Sequence, residues 1–208
     1  MRGRSDVLDL AVLGLLQEQP LHGYELRKRL NSLLGSFRAL SYGSLYPCLR
    51  SLVERGLIVG ADAAETPPPH ALSGKRARIV YELTAEGKEH LAQMLATSGP
   101  SAWEDEHFDV RFAFFAQTDA ETRLRILEGR RTRLTERLEQ VRQSAARTRE
   151  RLDEYTLELQ RLGLEQVERE VRWLDGLIDN ERGTRRAATT GPARPVGPST
   201  ADDDLSQH

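Results

Sequence analysis

The apolar positions of this chain change rhythm several times between its ends. VLDLAVLGLL (7–16) is apolar almost all round and predicts a buried helix, with Pro20 as its stop. HGYELRKRLNSLLG (22–35) places Leu26, Leu30, Leu33 and Leu34 at helical spacing, with Lys28, Arg29 and Ser32 on the other side. In SYGSLYPCLRSLVERGLI (41–58), Leu45, Cys48, Leu49, Leu52 and Val53 sit at i, i+3, i+4, i+7 and i+8. That is one face of a third helix, which Gly56 ends. The period then shortens. LIVG (57–60) reads as a strand, and RIVYELT (78–84) alternates Ile79, Tyr81 and Leu83 against Val80, Glu82 and Thr84, the mark of a half-buried strand. Thr84 is a good N-cap for a fourth helix, AEGKEHLAQMLA (85–96).

Between the strands lies AETPPPHALSGKRA (64–77), whose three successive prolines cannot pair in a sheet. It predicts an extended loop followed by Lys75, Arg76 and Arg78. Three helices, a strand, a long basic loop, a strand and a helix in about a hundred residues make a winged helix-turn-helix over 1–98. The fold class expected is mainly α with a small β-hairpin wing.

The second half opens near SGPSAWEDEH (98–107), followed by a short aromatic cluster, Phe108, Phe112, Phe114 and Phe115. Leu124, Leu127, Leu134, Leu138, Val141, Ala145, Thr148, Leu152, Tyr155, Leu159 and Leu162 then repeat in steps that alternate 4 and 3 from Leu134. This heptad seam predicts one helix from 124 to 162, roughly 58 Å long, with Gly163 as its C′ residue. A last helix, about 165–182, carries Val167, Val171, Leu174 and Ile178. The seam is longer than that helix can cover, so residues 99–182 are expected to form a coiled-coil-like homodimerisation domain. Its candidate contacts are Leu134, Leu138, Val141, Leu152, Tyr155, Leu159, Trp173 and Leu174. Residues 183–208 lack apolar periodicity and read as a disordered tail.

Charge adds only a local constraint. Residues 1–98 carry 12 Lys and Arg against 10 Asp and Glu, residues 99–182 carry 15 against 19, and the tail is balanced. Any nucleic-acid footprint must therefore be a patch. The single cysteine rules out an internal disulfide and fits a reducing compartment. The start resembles a secretory signal, but Asp6 and Asp9 interrupt its apolar run and no cleavage site follows. With no apolar stretch near 20 residues, a cytoplasmic location away from membranes is expected. The five histidines are scattered, and no catalytic triad, HExxH or phosphate-binding glycine loop occurs, so neither an enzyme nor a cofactor is expected. WEDEH (103–107) with Asp109 fits no zinc spacing; acidic residues at a helix start satisfy the helix dipole without a metal.

LHGYEL (21–26), SYGSLYPCLRSLVERGLI (41–58) and YELTAEGKEHL (81–91) resemble the PadR family of transcriptional regulators. The histidine–glycine–tyrosine of the second helix and the glycine–serine–leucine–tyrosine–proline run of the third are both present at matching spacing. FAFF (112–115), LGLEQ (162–166) and WLDGLI (173–178) look like the family's C-terminal dimerisation domain. TPPPHAL (66–72) is extra to the family's usual short wing. The resemblance implies a transcriptional repressor that binds an inverted repeat in double-stranded DNA as a homodimer and is released by a small-molecule effector. The face of the third helix opposite its leucines would then meet DNA: small residues allow close approach, hydroxyls reach phosphate or bases, and Arg50 reaches guanine or phosphate.

The DNA-binding set is His22, Tyr24 and Lys28; Ser41, Tyr42, Gly43, Ser44, Tyr46, Pro47 and Arg50; and Lys75, Arg76 and Arg78 of the wing. His22 has an equal alternative role, holding the turn. Cys48, on the apolar face, reads as a small buried hydrophobe. Because some family members bind aromatic effectors, Trp103 and Trp173 are candidate effector contacts, although core or interface packing is the plainer reading. An alternative function for the whole chain is a helical adaptor whose winged helix binds protein.

Overall fold

The computed structural model describes residues 2–34, 42–62, 79–148 and 153–189. Helix α1 (Arg2–Glu18) is wrapped by the rest of the N-terminal unit. Val7, Leu8, Leu10–Leu13, Leu15 and Leu16 are all buried, as an all-round apolar helix requires. A two-residue strand β1 (Leu21–His22), helix α2 (Gly23–Leu34), helix α3 (Tyr42–Glu54), strands β2 (Ile58–Asp62) and β3 (Ile79–Leu83), and helix α4 (Ala85–Ala96) complete it. The sheet is antiparallel with order β1-β3-β2. Leu21 pairs with Tyr81 and His22 with Val80, so the expected two-stranded hairpin has a third strand just ahead of α2.

Local signals explain the ends. Gly56 has φ +71, and it closes α3 with paired bonds: Gly56 N donates to Val53 O at 2.9 Å and Leu57 N to Leu52 O at 2.9 Å. That double bond is the Schellman pattern, which needs a left-handed residue at Gly56. Thr84 caps α4, its hydroxyl oxygen accepting from Gly87 N at 2.9 Å. The same hydroxyl lies 2.7 Å from Gly56 O, tying α4 to the end of α3.

Helix α5 (Asp105–Ala113) joins two hydrophobic cores. Val110 and the following Phe114 belong to the core around α1. The Phe114 ring lies so close to Gly14 that an added Cβ there would be 2.5 Å from it. Phe108 belongs to a second core with Ile126, Leu127, Leu134, Leu174 and Ile178. Trp103, in the 3-10 turn Pro100–Trp103, sits equally closely on Gly129. Arg111 is buried and donates to Met94 O and Thr97 O, both at 2.9 Å, satisfying carbonyls at the end of α4. The boundary expected at 98/99 is thus bridged: α5 packs on both sides of it.

The single long helix over 124–162 is not what forms. Helix α6 (Ala120–Thr148) and helix α7 (Glu154–Thr189) make an antiparallel hairpin, and α7 runs straight through Gly163. Asp153 starts α7, accepting from Thr156 N at 3.0 Å and Thr156 Oγ1 at 2.6 Å, which holds its carboxyl below the usual range. Ion pairs fix the register: Arg123 with Glu181, Arg131 with Asp175, and Arg142 with Glu168. These exposed or half-exposed pairs are each worth at most about 1 kcal/mol, so the apolar seam holds the hairpin. That seam buries Leu134, Leu138 and Leu174 within the chain. Residues 183–189, expected in the tail, are the last turns of α7; 190–208 lie outside the described residues.

Candidate nucleic-acid interface

Helix α3 is two-faced, as its spacing predicts. Leu45, Cys48, Leu49 and Leu52 are buried; Ser44, Pro47 and Arg50 are exposed on the other side. Val53, placed on the apolar face by spacing, is 41% exposed, because α3 ends one residue later and the core turns away. Pro47 lies inside the helix on the outer face. Having no N–H, it cannot donate the usual helical bond to the Gly43 carbonyl.

Tyr46 is half-buried and packs against the first core. Gly23 sits between rings: a Cβ there would lie 3.5 Å from the Tyr81 ring and 3.6 Å from the Tyr46 ring. These are ordinary contact distances, and they place α3 against the start of α2, where Tyr24 (62% exposed) and Lys28 stand out from the surface. His22 is half-buried in β1, and its backbone N–H donates to Glu25 Oε2 at 3.1 Å. That bond holds the turn through the backbone and does not engage the His22 imidazole. Tyr42 and Gly43 open α3, while Ser41 and the wing residues Lys75, Arg76 and Arg78 lie outside the described residues, as does Leu152.

The two tryptophans separate. Trp103 is a packing residue: its ring covers Gly129 and its carbonyl accepts from Arg130 Nη1 at 3.1 Å. Trp173 is 45% exposed and meets Phe112 edge-on, centroids 5.1 Å apart, with Phe108 at 6.4 Å. Below them Arg130 is buried, bonded to Asp105 and, at 2.8 Å, to Glu170. Burial alone would raise the Asp105 carboxyl; the Arg130 bond and the nearby Arg133 and Arg137 charges bring it below the usual range. The acidic stretch WEDEH thus supplies an ion-pair partner for arginine. Among the described residues no group of His, Cys, Asp and Glu comes together in a way that could hold a metal ion.

Sequence reasoning missed Asp9, Arg111 and Arg130, three charges that fold inward. Only Asp9 left a signal, as a lone carboxylate inside an otherwise apolar run.

Three helices, a three-stranded sheet and an exposed outer face on the third helix define a winged helix-turn-helix. Residues 12–93 match the Transcriptional regulator PadR-like family. The family is one of regulators rather than enzymes. The chain is 30% identical over 94 residues to the negative transcriptional regulator PadR of Bacillus subtilis strain 168. That match covers 45% of this chain and 48% of the relative, so it spans about half of the relative's length. Solved structures include Bacillus subtilis PadR in complex with operator DNA, at 22% identity and a TM-score of 0.40 over 84% of this chain and 99% of that one. The same protein in complex with p-coumaric acid matches at 21% identity and a TM-score of 0.38, over 85% and 99%. No described helix is long and apolar enough to cross a membrane.

Proposed function

We propose that this protein is a transcriptional repressor that binds an inverted-repeat operator in double-stranded DNA as a homodimer. The observation that carries the reading is the two-faced α3: its leucines are locked in the core of a PadR-like winged helix while Ser44, Pro47 and Arg50 face outward. A third helix so placed enters the major groove in winged helices. The repressing sense follows the curated relative, named as a negative regulator. Residues 1–98 would read DNA and 99–182 would pair two subunits, through the apolar stripe that α7 turns away from α6. Trp173, half-exposed beside Phe112, is the proposed contact for an aromatic effector.

Gel-shift titration against salt tests the reading. DNA binding releases counterions and must weaken steeply as salt rises; a helical adaptor that binds protein through the same surface shows no such slope. Within that assay, Arg50→Ala is expected to cost roughly 1–3 kcal/mol and relax one base position per half-site, if Arg50 reads a base. An equal loss on every sequence makes it a phosphate-binding residue, and no loss removes it from the interface. Replacing Lys75 and Arg76 together by Ala should flatten log affinity against log salt by about 0.9 for each phosphate no longer neutralised. An unchanged slope and affinity would take the wing off the DNA.

A further inference from the structure

We propose that Asp9 of α1, with Arg55 at the end of α3, is a clamp that sets the rotation of the recognition helix for base reading. The proposal rests on the DNA-binding function above. Asp9 is 4% exposed and lies in a helix whose neighbouring residues are apolar. A carboxylate buried there carries a desolvation cost that a leucine would avoid, so well-packed apolar residues could supply stability more simply. What it supplies instead is direction. Its Oδ1 accepts from Cys48 Sγ at 3.2 Å, and its Oδ2 accepts from Arg55 Nη1 at 2.6 Å. Burial, and then the Asp9 charge and hydrogen bond, keep the Cys48 thiol protonated by raising it well above its ordinary value. The thiol therefore stays a donor.

Cys48 and Arg55 are seven residues apart, Cys48 within α3 and Arg55 in the turn that closes it. A single carboxylate thus takes one bond from each of two residues whose backbone positions stand roughly 10 Å apart along the axis, the long Arg55 side chain reaching back to it. The other arm of Arg55 reaches α4, Nη2 standing 3.1 Å from His90 Nε2. Accepting there requires a neutral ring. Three helices therefore share one polar cluster, placed behind the residues that would face DNA. Rotating α3 by about 10° moves an atom at its roughly 6 Å outer radius by about 1 Å. That is enough to break a base-edge hydrogen bond, whereas phosphate bonds made by long, flexible side chains tolerate it.

The test uses the full chain and the operator that the wild-type protein selects from a random-sequence DNA pool. Asp9→Asn keeps the shape but removes the charge that holds Arg55. Its affinity for the selected operator should fall roughly tenfold, the lower part of the range for a single misaligned base pair, while affinity for mixed-sequence DNA and its salt slope stay unchanged. Arg55→Lys, which keeps a charge for Asp9 on a half-exposed side chain and so guards against a variant that fails to fold, should lose less. The double variant should lose no more than Asp9→Asn alone, because both act through one clamp. A proportionate fall on both DNAs, or an unchanged ratio in a cooperatively folded variant, overturns the clamp. A wild-type chain that selects no sequence overturns the functional reading and, with it, any aiming role for Asp9.

Discussion

Gly87→Ala is expected to lower the stability of the winged helix by about 3 kcal/mol or more, the sum of overpacking and a weakened helix cap. A Cβ at this position would lie 2.0 Å from Leu57 O and 2.9 Å from Leu83 Cδ1. The carbonyl is backbone and is already engaged: it accepts from Thr84 N at 3.2 Å and from Thr84 Oγ1 at 3.0 Å. Moving it aside to admit a methyl group therefore disturbs both the end of α3 and the N-cap of α4. For a chain of this length that corresponds to a melting temperature lower by roughly 10 °C. Gly176→Ala is the matched control. It lies in the interior of α7 with nothing within 4 Å, so alanine should instead stabilise by roughly 0.5–1 kcal/mol through helix propensity. Thermal unfolding of the two variants decides the matter, and a Gly87→Ala protein that melts with the wild type would show that the α3–α4 packing is loose.

Helix α3 was legible because its burial repeats every three to four residues, and the core it meets accepts all of that pattern except Val53. The two-residue β1 left no periodicity to read; it pairs only because β3 presents Val80 and Tyr81 beside it. The α6–α7 turn was hidden for another reason. The 4–3 stepping of the apolar positions continues through 148–155, so the two arms of a hairpin read as one rod. The local mark of the break was Asp153 followed three residues later by Thr156, an N-cap signature easily outweighed by a sustained seam. At the candidate interface, the outward residues of α3 were visible as an odd polar face. Arg111 and Arg130 were not, and Asp9 showed only as an interruption of an apolar run, since one sequence shows where charges stand but not which of them turn inward.

Replacing Tyr155 and Leu159 together by Glu is expected to convert the proposed dimer to a monomer and to weaken operator binding by roughly 10²–10⁴-fold, the advantage of holding two reading heads together. One side of α7 packs Val167, Val171, Leu174 and Ile178 against α6. Another carries Tyr155 at 87% exposure, Leu159 at 69%, Leu162 at 46% and Trp173 at 45%, with Val141 of α6 at 37%. Single exposed apolar residues are ordinary, but Tyr155, Leu159 and Leu162 follow steps of four and three, which is a stripe suited to another helix. The substitutions themselves should not unfold the hairpin. Both positions are exposed, and Tyr155 lies in the first turn of α7, where the helix dipole favours a carboxylate. Circular dichroism should therefore be unchanged while light scattering halves the mass. If wild type and variant scatter alike at micromolar concentration, the stripe is solvent-facing and the dimer must be held elsewhere or not form. If the variant is monomeric yet binds the operator as well as before, one winged helix suffices, and the inverted repeat is not what this protein reads.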